Sequence, residues 1–206
     1  MTQDEEQRII ADVLAGDPAR FEALVRVHEK GIYRLCCRML GGEQDALDAS
    51  QEAFFKAYRG LAGFRGDSRF SVWLYRLASN ACLDILRKRS AAKELPLTDE
   101  EGGMFDIPDP GPSPQDAAER TETREAVQRA LAALAPEHRQ AVILRDVNGL
   151  SYEEIAAVTG LEAGTVKSRI FRARRRLAAL LQADRNFSGR APSNTTGKTG
   201  KGGASR

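Results

Sequence analysis

The residues best suited to recognition chemistry lie near the C-terminus. From Gly164 to Leu181 the chain carries six basic side chains (Lys167, Arg169, Arg172, Arg174, Arg175 and Arg176) and no acid. At 100° per residue, Val166, Ile170, Ala173 and Leu177 fall within about 60° of one another and predict a packing stripe. Ser168, Phe171, Arg172 and Arg175 then point the opposite way, with Lys167, Arg169, Arg174 and Arg176 on the flanks. An arginine can fork onto guanine O6 and N7, and an aromatic edge can meet a thymine methyl. The flanking bases would neutralise phosphates and make binding salt-dependent. This is the chemistry of reading duplex DNA.

Two further constellations lie upstream. Asp45, Asp48 and Glu52 recur at i, i+3 and i+7 with Phe55 beside them, an acidic stripe with an aromatic that could dock a basic partner helix or simply be solvated. Leu47, Phe54 and Tyr58 are expected on the opposite, buried side. Arg76, Asn80, Asp84, Arg87 and Lys88 share one side of a later helix, next to Phe64, Phe70 and Trp73. Bases combined with aromatic rings suit a single-stranded nucleic acid, whose unpaired bases stack on rings. Trp73 falls in an apolar stripe, which favours a core role; Phe64, in a Gly-flanked loop, is the better stacking candidate.

Catalytic and metal chemistry find no support. His28 and His138 have no ligand partners at usable spacing, and the three cysteines (Cys36, Cys37 and Cys82) fit neither a disulfide framework nor a metal site. Cys36 and Cys37 are expected to pack beside Leu35 and Met39. Gly197-Lys198-Thr199 lacks the preceding glycine and strand of a phosphate loop. The reading is a protein with no catalytic residue, no metal and no cofactor.

The elements that must position these residues are helical. Asp17-Pro18 reads as a cap and first-turn proline before a helix bearing Phe21, Leu24, Ile32, Leu35 and Met39, which Gly41-Gly42 ends. Helices are expected over about 43–59 and 68–89, joined by a loop that holds Phe64 and Arg65. Ser113-Pro114-Gln115-Asp116 resembles a capping box. Pro136 opens a short helix closed by Asn148-Gly149, and Ser151-Tyr152-Glu153-Glu154 is a second capping box whose helix stops near Gly160. With the basic helix beyond, these lengths match a helix-turn-helix. No alternating strand pattern occurs, so the fold class is all-α.

The 206 residues include 42% hydrophobic and 29% charged side chains, enough for buried cores. No run of about 18 apolar residues predicts a membrane span, and the N-terminus does not look like a signal peptide, so a cytoplasmic location is expected. The net charge of +2 conceals strong segregation. Eight acids and no base lie between Glu94 and Glu119, and five of the eight prolines lie between Pro96 and Pro114. That composition predicts a flexible acidic linker over 94–117 between helical domains at 1–93 and 118–185, and a disordered basic tail over 186–206.

Three blocks resemble the bacterial sigma-70 superfamily, specifically its extracytoplasmic-function (group 4) sigma factors. They are Asp45-Ala46-Leu47-Asp48-Ala49-Ser50-Gln51-Glu52-Ala53-Phe54; Phe64-Arg65-Gly66 with Trp73 through Asn80, Asp84, Arg87 and Lys88; and Ser151 through Ala156 with Gly164 through Arg174. Leu47, Ala49 and Ser50 depart from the family pattern. The resemblance implies a sigma-2 bundle and a sigma-4 helix-turn-helix. It implies that Asp45, Asp48, Gln51, Glu52 and Phe55 bind the clamp of the largest subunit of core RNA polymerase, while the C-terminal domain meets the flap. Phe64, Arg65, Trp73, Arg76, Asn80, Asp84, Arg87 and Lys88 would open the −10 element and hold a flipped base. Thr165, Lys167, Ser168, Arg169, Phe171, Arg172 and Arg175 would read the −35 duplex of promoter DNA, and the linker would thread the RNA exit path. An anti-sigma factor is an expected partner. The competing reading, a stand-alone helix-turn-helix repressor or activator, accounts for the basic helix but not for the acidic stripe or the linker.

Overall fold

The computed structural model describes residues 1–93 and 114–184, with side chains described outside 93–120. The described residues form helices and no strands. They are α1 (Gln3–Leu14), α2 (Phe21–Leu40), α3 (Glu43–Gly60), α4 (Phe70–Lys93), α5 (Pro114–Ala132), α6 (Pro136–Val142), α7 (Tyr152–Thr159) and α8 (Ala163–Ala183). Most of the expected linker and the whole expected tail lie outside the described residues. Residues 114–117, expected as linker, are already the first turn of α5.

Local chemistry explains the boundaries. Thr2 caps α1 through a reciprocal box with Glu5, a Thr-x-x-Glu signature that the sequence reading had passed over. Asp17 makes no side-chain cap; Pro18–Arg20 instead form a single 3₁₀ turn that leads into α2. Gly41 ends α2 in the left-handed conformation (φ 78°), where its N–H donates to the Cys37 carbonyl. α6 runs on into a π turn, Ile143–Val147.

α2, α3 and α4 pack on one another, and α8 packs on α5, α6 and α7. The face of α3 differs from expectation. Its buried residues are Ala46, Ala49, Ser50, Ala53 and Ala57, whereas Leu47 and Tyr58 are 40% and 44% exposed. α3 contacts both α2 and α4, and small side chains let three helix backbones approach closely. Cys36 and Cys82 are buried and Cys37 is half-buried, in keeping with a packing role.

The two groups of helices are not held apart. α7 lies against α4, while α5 and α6 touch α2. The buried apolar side chains form one continuous cluster that runs from Ile9 to Ala173. Arg139, itself buried, donates from Nη1 to the Met39 carbonyl at 2.5 Å and from Nη2 to the Ala132 and Leu134 carbonyls at 2.6 and 3.3 Å. One guanidinium thus serves the C-terminal ends of both α2 and α5, where exposed carbonyls and the helix dipoles favour a cation.

Candidate nucleic-acid and polymerase interfaces

The helix-turn-helix is built as its sequence prescribes. Ser151 Oγ accepts the Glu154 N–H at 3.1 Å, and Glu154 Oε2 accepts the Ser151 N–H at 2.9 Å, which starts α7. Gly160 (φ 71°) ends α7 and turns the chain toward α8. On α8, Val166, Ile170 and Ala173 are buried and Leu177 is half-buried, which sets the rotation of the helix. Thr165, Lys167, Ser168, Phe171, Arg172 and Arg175 are exposed as a result, and Arg169 is half-buried on the flank. Phe171 is 61% exposed, with the Arg175 guanidinium 5.9 Å from its ring centre. Arg174 is turned aside into a bidentate pair with Asp146. Ser168 Oγ donates to the Thr165 carbonyl at 2.9 Å.

On α3, Asp48, Gln51, Glu52 and Phe55 form an exposed face, with Phe55 55% exposed. Gln44 donates to Asp48 at 3.0 Å, Lys56 pairs with Glu52 at 3.2 Å, and Arg59 lies 5.5 Å from the Phe55 ring centre. Asp45 departs from the expected free stripe: it is ion-paired with Arg89 of α4, which also donates to the Leu40 carbonyl. The exposed face gains Leu47 and Tyr58, which the sequence reading assigned to the core. It is therefore a mixed acidic and apolar surface. The missed signal was the alanine repeat at 46, 49, 53 and 57, itself a helical stripe.

The third set of residues converges around the 61–70 loop. Phe64 is not a free stacking ring. Its ring centre lies 5.1 Å from Trp73 and 5.7 Å from Phe70, and both Phe64 and Trp73 are half-buried. Two apolar rings at such distances gain more from mutual packing than from water, so the loop folds back onto α4. Phe64, Arg65, Trp73 and Arg76 line one hollow of about 460 Å³, and Ala157 of α7 lies on its rim. Arg76, Asn80, Asp84, Arg87 and Lys88 are exposed along α4, with Arg87 donating to Asp84 at 2.6 Å.

Across this hollow, Arg69 is ion-paired with Glu154. Burial opposes ionisation of Glu154, but the Ser151 N–H and the Arg69 guanidinium outweigh it and hold the carboxyl below its usual range. His28 pairs with Glu6 at 3.0 Å and packs against Phe70 at 5.5 Å. Burial, only partly offset by Glu6, keeps its imidazole below the ordinary value of 6.5. Among the described residues no group of three His, Cys, Asp or Glu side chains is placed to hold a metal, and no helix is long and apolar enough to cross a membrane.

Comparison with known proteins agrees with these surfaces. The family model for Sigma-70 region 2 matches residues 24–92, and that for Sigma-70 region 4 matches residues 124–177. The chain is 38% identical over 190 residues to the RNA polymerase sigma-H factor of Pseudomonas aeruginosa, covering 88% of this chain and 96% of that protein. It is 40% identical over 176 residues to the ECF RNA polymerase sigma factor SigM of Mycobacterium tuberculosis, covering 85% and 84%. The ECF RNA polymerase sigma-E factor of Escherichia coli is 37% identical over 177 residues, covering 82% and 90%. Among solved structures, CnrH in complex with the cytosolic domain of CnrY superposes with a TM-score of 0.64 at 30% identity, covering 85% of this chain and 96% of that one. RpoE of Bartonella quintana in complex with the anti-sigma factor NepR gives 0.60 at 25% identity, covering 80% and 98%. With relatives of this identity matched along most of their length, the chain belongs to the sigma-70 family of RNA polymerase sigma factors, in its extracytoplasmic-function group.

Proposed function

We propose that this sigma factor divides its work among the three surfaces described above. The face of α3 formed by Asp48, Gln51, Glu52 and Phe55, extended by Leu47 and Tyr58, docks on the clamp of the largest core-polymerase subunit. An exposed aromatic within a rim of acids is the composition expected of a protein-binding hot spot for a basic helix. The hollow beneath Phe64 and Trp73, with Arg65 and Arg76 at its edge, receives an unpaired base of the −10 element, and Asn80, Arg87 and Lys88 follow the strand along α4. Opening DNA costs about 1.4 kcal/mol per base-pair step, and capture of an unstacked base offsets part of that. The exposed face of α8 reads the −35 duplex through Arg172, Arg175 and Phe171, while Lys167 and Arg169 contact phosphates.

In this reading residues 1–93 and 118–185 act as separate recognition units, the acidic segment between them lies along the RNA exit path, and the tail follows α8. An anti-sigma factor is a partner by analogy with the NepR-bound relative. The protein works beside the chromosome in the cytoplasm and catalyses nothing itself. The observation that carries the reading is the rotation of α8: its apolar stripe is buried, and a 61% exposed Phe171 is thereby left among arginines on the outer face. Run-off transcription from a promoter library, with core polymerase and with or without the chain, tests it. Chain-dependent transcripts sharing −35 and −10 elements are expected. Sequence-specific duplex binding without core, and no transcripts, would transfer the function to a stand-alone repressor or activator.

A further inference from the structure

The contact between the two groups of helices has a particular place and character. Glu154, whose carboxylate starts the helix-turn-helix, also holds Arg69, which immediately precedes α4. Asn148 Nδ2 reaches both the Gly31 carbonyl at 3.3 Å and Tyr75 Oη at 3.1 Å. Gly31, in the interior of α2, is where Tyr75 Oη comes close: a Cβ there would lie 2.9 Å from it. Gln128 donates to the Cys37 and Arg38 carbonyls, and Arg139 to that of Met39. The contact is therefore rich in polar pairs. It is also incompletely satisfied: Arg139 Nε and Asn148 Oδ1 are buried without a hydrogen-bond partner. Such orphaned groups make a contact reversible, since separation returns them to water.

The geometry points to a latched resting state in which α7 lies over the hollow formed by Phe64, Trp73 and Arg76, so that the reader of duplex DNA covers the surface that takes up the single strand. This rests on the functional reading above and goes beyond it. Two promoter elements centred roughly 25 base pairs apart are about 85 Å from each other along B-DNA. A body in which Arg69 touches Glu154 cannot occupy both. Residues 94–113 put 21 Cα steps between Lys93 and Pro114, a reach of at most about 70 Å, which permits the separation that promoter binding demands. The latch makes the free factor a weak binder, because its apparent affinity is reduced by the fraction of molecules that are open. Core polymerase releases it by holding the two groups of helices apart.

The test uses the purified full chain and two variants that spare the proposed DNA-binding residues. Glu154→Gln keeps the capping box, which glutamine also supports, and removes the ion pair. Asn148→Ala removes the contact to Tyr75 and Gly31. Small-angle scattering reads the overall dimension, and fluorescence anisotropy reads binding of a fluorescein-labelled, 20-nucleotide single-stranded DNA of mixed sequence. We expect a larger radius of gyration in both variants. Oligonucleotide affinity should rise about threefold with each change and about tenfold with both, while core-dependent transcription is retained. Radius and affinity both unchanged from wild type would overturn the latch. So would tighter binding without expansion, because the hollow would then have been improved rather than uncovered. If the shifts occur but even the wild type gives no core-dependent transcript, the promoter reading fails and the latch stands.

Discussion

Replacing Arg139 by Ala should remove the one side chain that serves two helix ends at once. Its two short bonds, 2.5 Å to Met39 and 2.6 Å to Ala132, are charge-assisted and worth about 1.5–3 kcal/mol each, and the 3.3 Å bond to Leu134 adds less. Water entering the vacated space re-solvates part of the three carbonyls, so a net loss of about 3–4 kcal/mol is expected. With a urea dependence of about 2 kcal/mol per molar, the midpoint followed by far-ultraviolet circular dichroism should fall by about 1.5–2 M. The loss is unequal: two of the three carbonyls belong to the chain between α5 and α6, one to α2. Trp73, the sole tryptophan, reports from α4, so its fluorescence midpoint should move by less than half as much. Arg139→Lys provides the control. An ammonium keeps the charge but cannot fork between two helix ends, and it should recover less than half of the stability. A midpoint shift below about 0.5 M for the alanine variant, or full recovery with lysine, would refute the forked capping role.

Further expectations concern the functional surfaces and one titrating pair. Arg172→Ala should leave helical content unchanged and reduce discrimination at one −35 base pair by about 1–3 kcal/mol, read as the ratio of transcripts from matched and mismatched promoters. Equal loss on both promoters would make Arg172 a phosphate contact. Phe55→Ala should weaken binding to core polymerase by about tenfold or more without lowering the thermal midpoint, since the ring is mostly in water; an unchanged affinity would remove α3 from the interface. Because burial depresses the His28 imidazole, the unfolded chain binds more protons as pH falls below 6.5, so stability is greatest above that value and declines on acidification. His28→Gln should flatten that decline between pH 7 and 5.5 in thermal melts, and a slope equal to wild type would assign the acid sensitivity to other groups.

The parts of this molecule that could be read from sequence are those whose physics is local. Ser151 with Glu154, and Gly160 two turns on, announce α7 because capping acts within four residues. The stripe Val166, Ile170 and Ala173 announces the rotation of α8 because a single apolar face faces a single neighbour. α3 misled for the opposite reason. It packs on both sides, so alanines rather than large side chains mark its buried face, and Leu47 and Tyr58 are left outside. Phe64 was assigned to a free loop, yet Phe70 and Trp73, six and nine residues on, draw it inward. Least legible was the joint between the helix groups. Arg139 sits in Pro136-Glu137-His138-Arg139, which looks like solvent-facing chain, and its partner carbonyl on Met39 lies 100 positions away. A side chain bonded to a distant backbone leaves no periodicity to detect.

The π turn after α6 gives the joint a history. Its i→i+5 bond, from the Asn148 N–H to the Ile143 carbonyl at 3.1 Å, accommodates one residue more than an α-helical turn would. In a regular helix each residue advances by about 100°, so one extra residue swings whatever follows by roughly that angle. Asn148 owes its position opposite Gly31 and Tyr75 to that swing. A single-codon insertion is thus enough to have created the contact, and a single-codon deletion enough to abolish it, with both helical cores left intact. Relatives one residue shorter in this turn should have a regular helix there and an asparagine, if they keep one, directed elsewhere. Loss and recovery of the latch then become a matter of chain length at one point, a change that lineages can make in one step and reverse in one step.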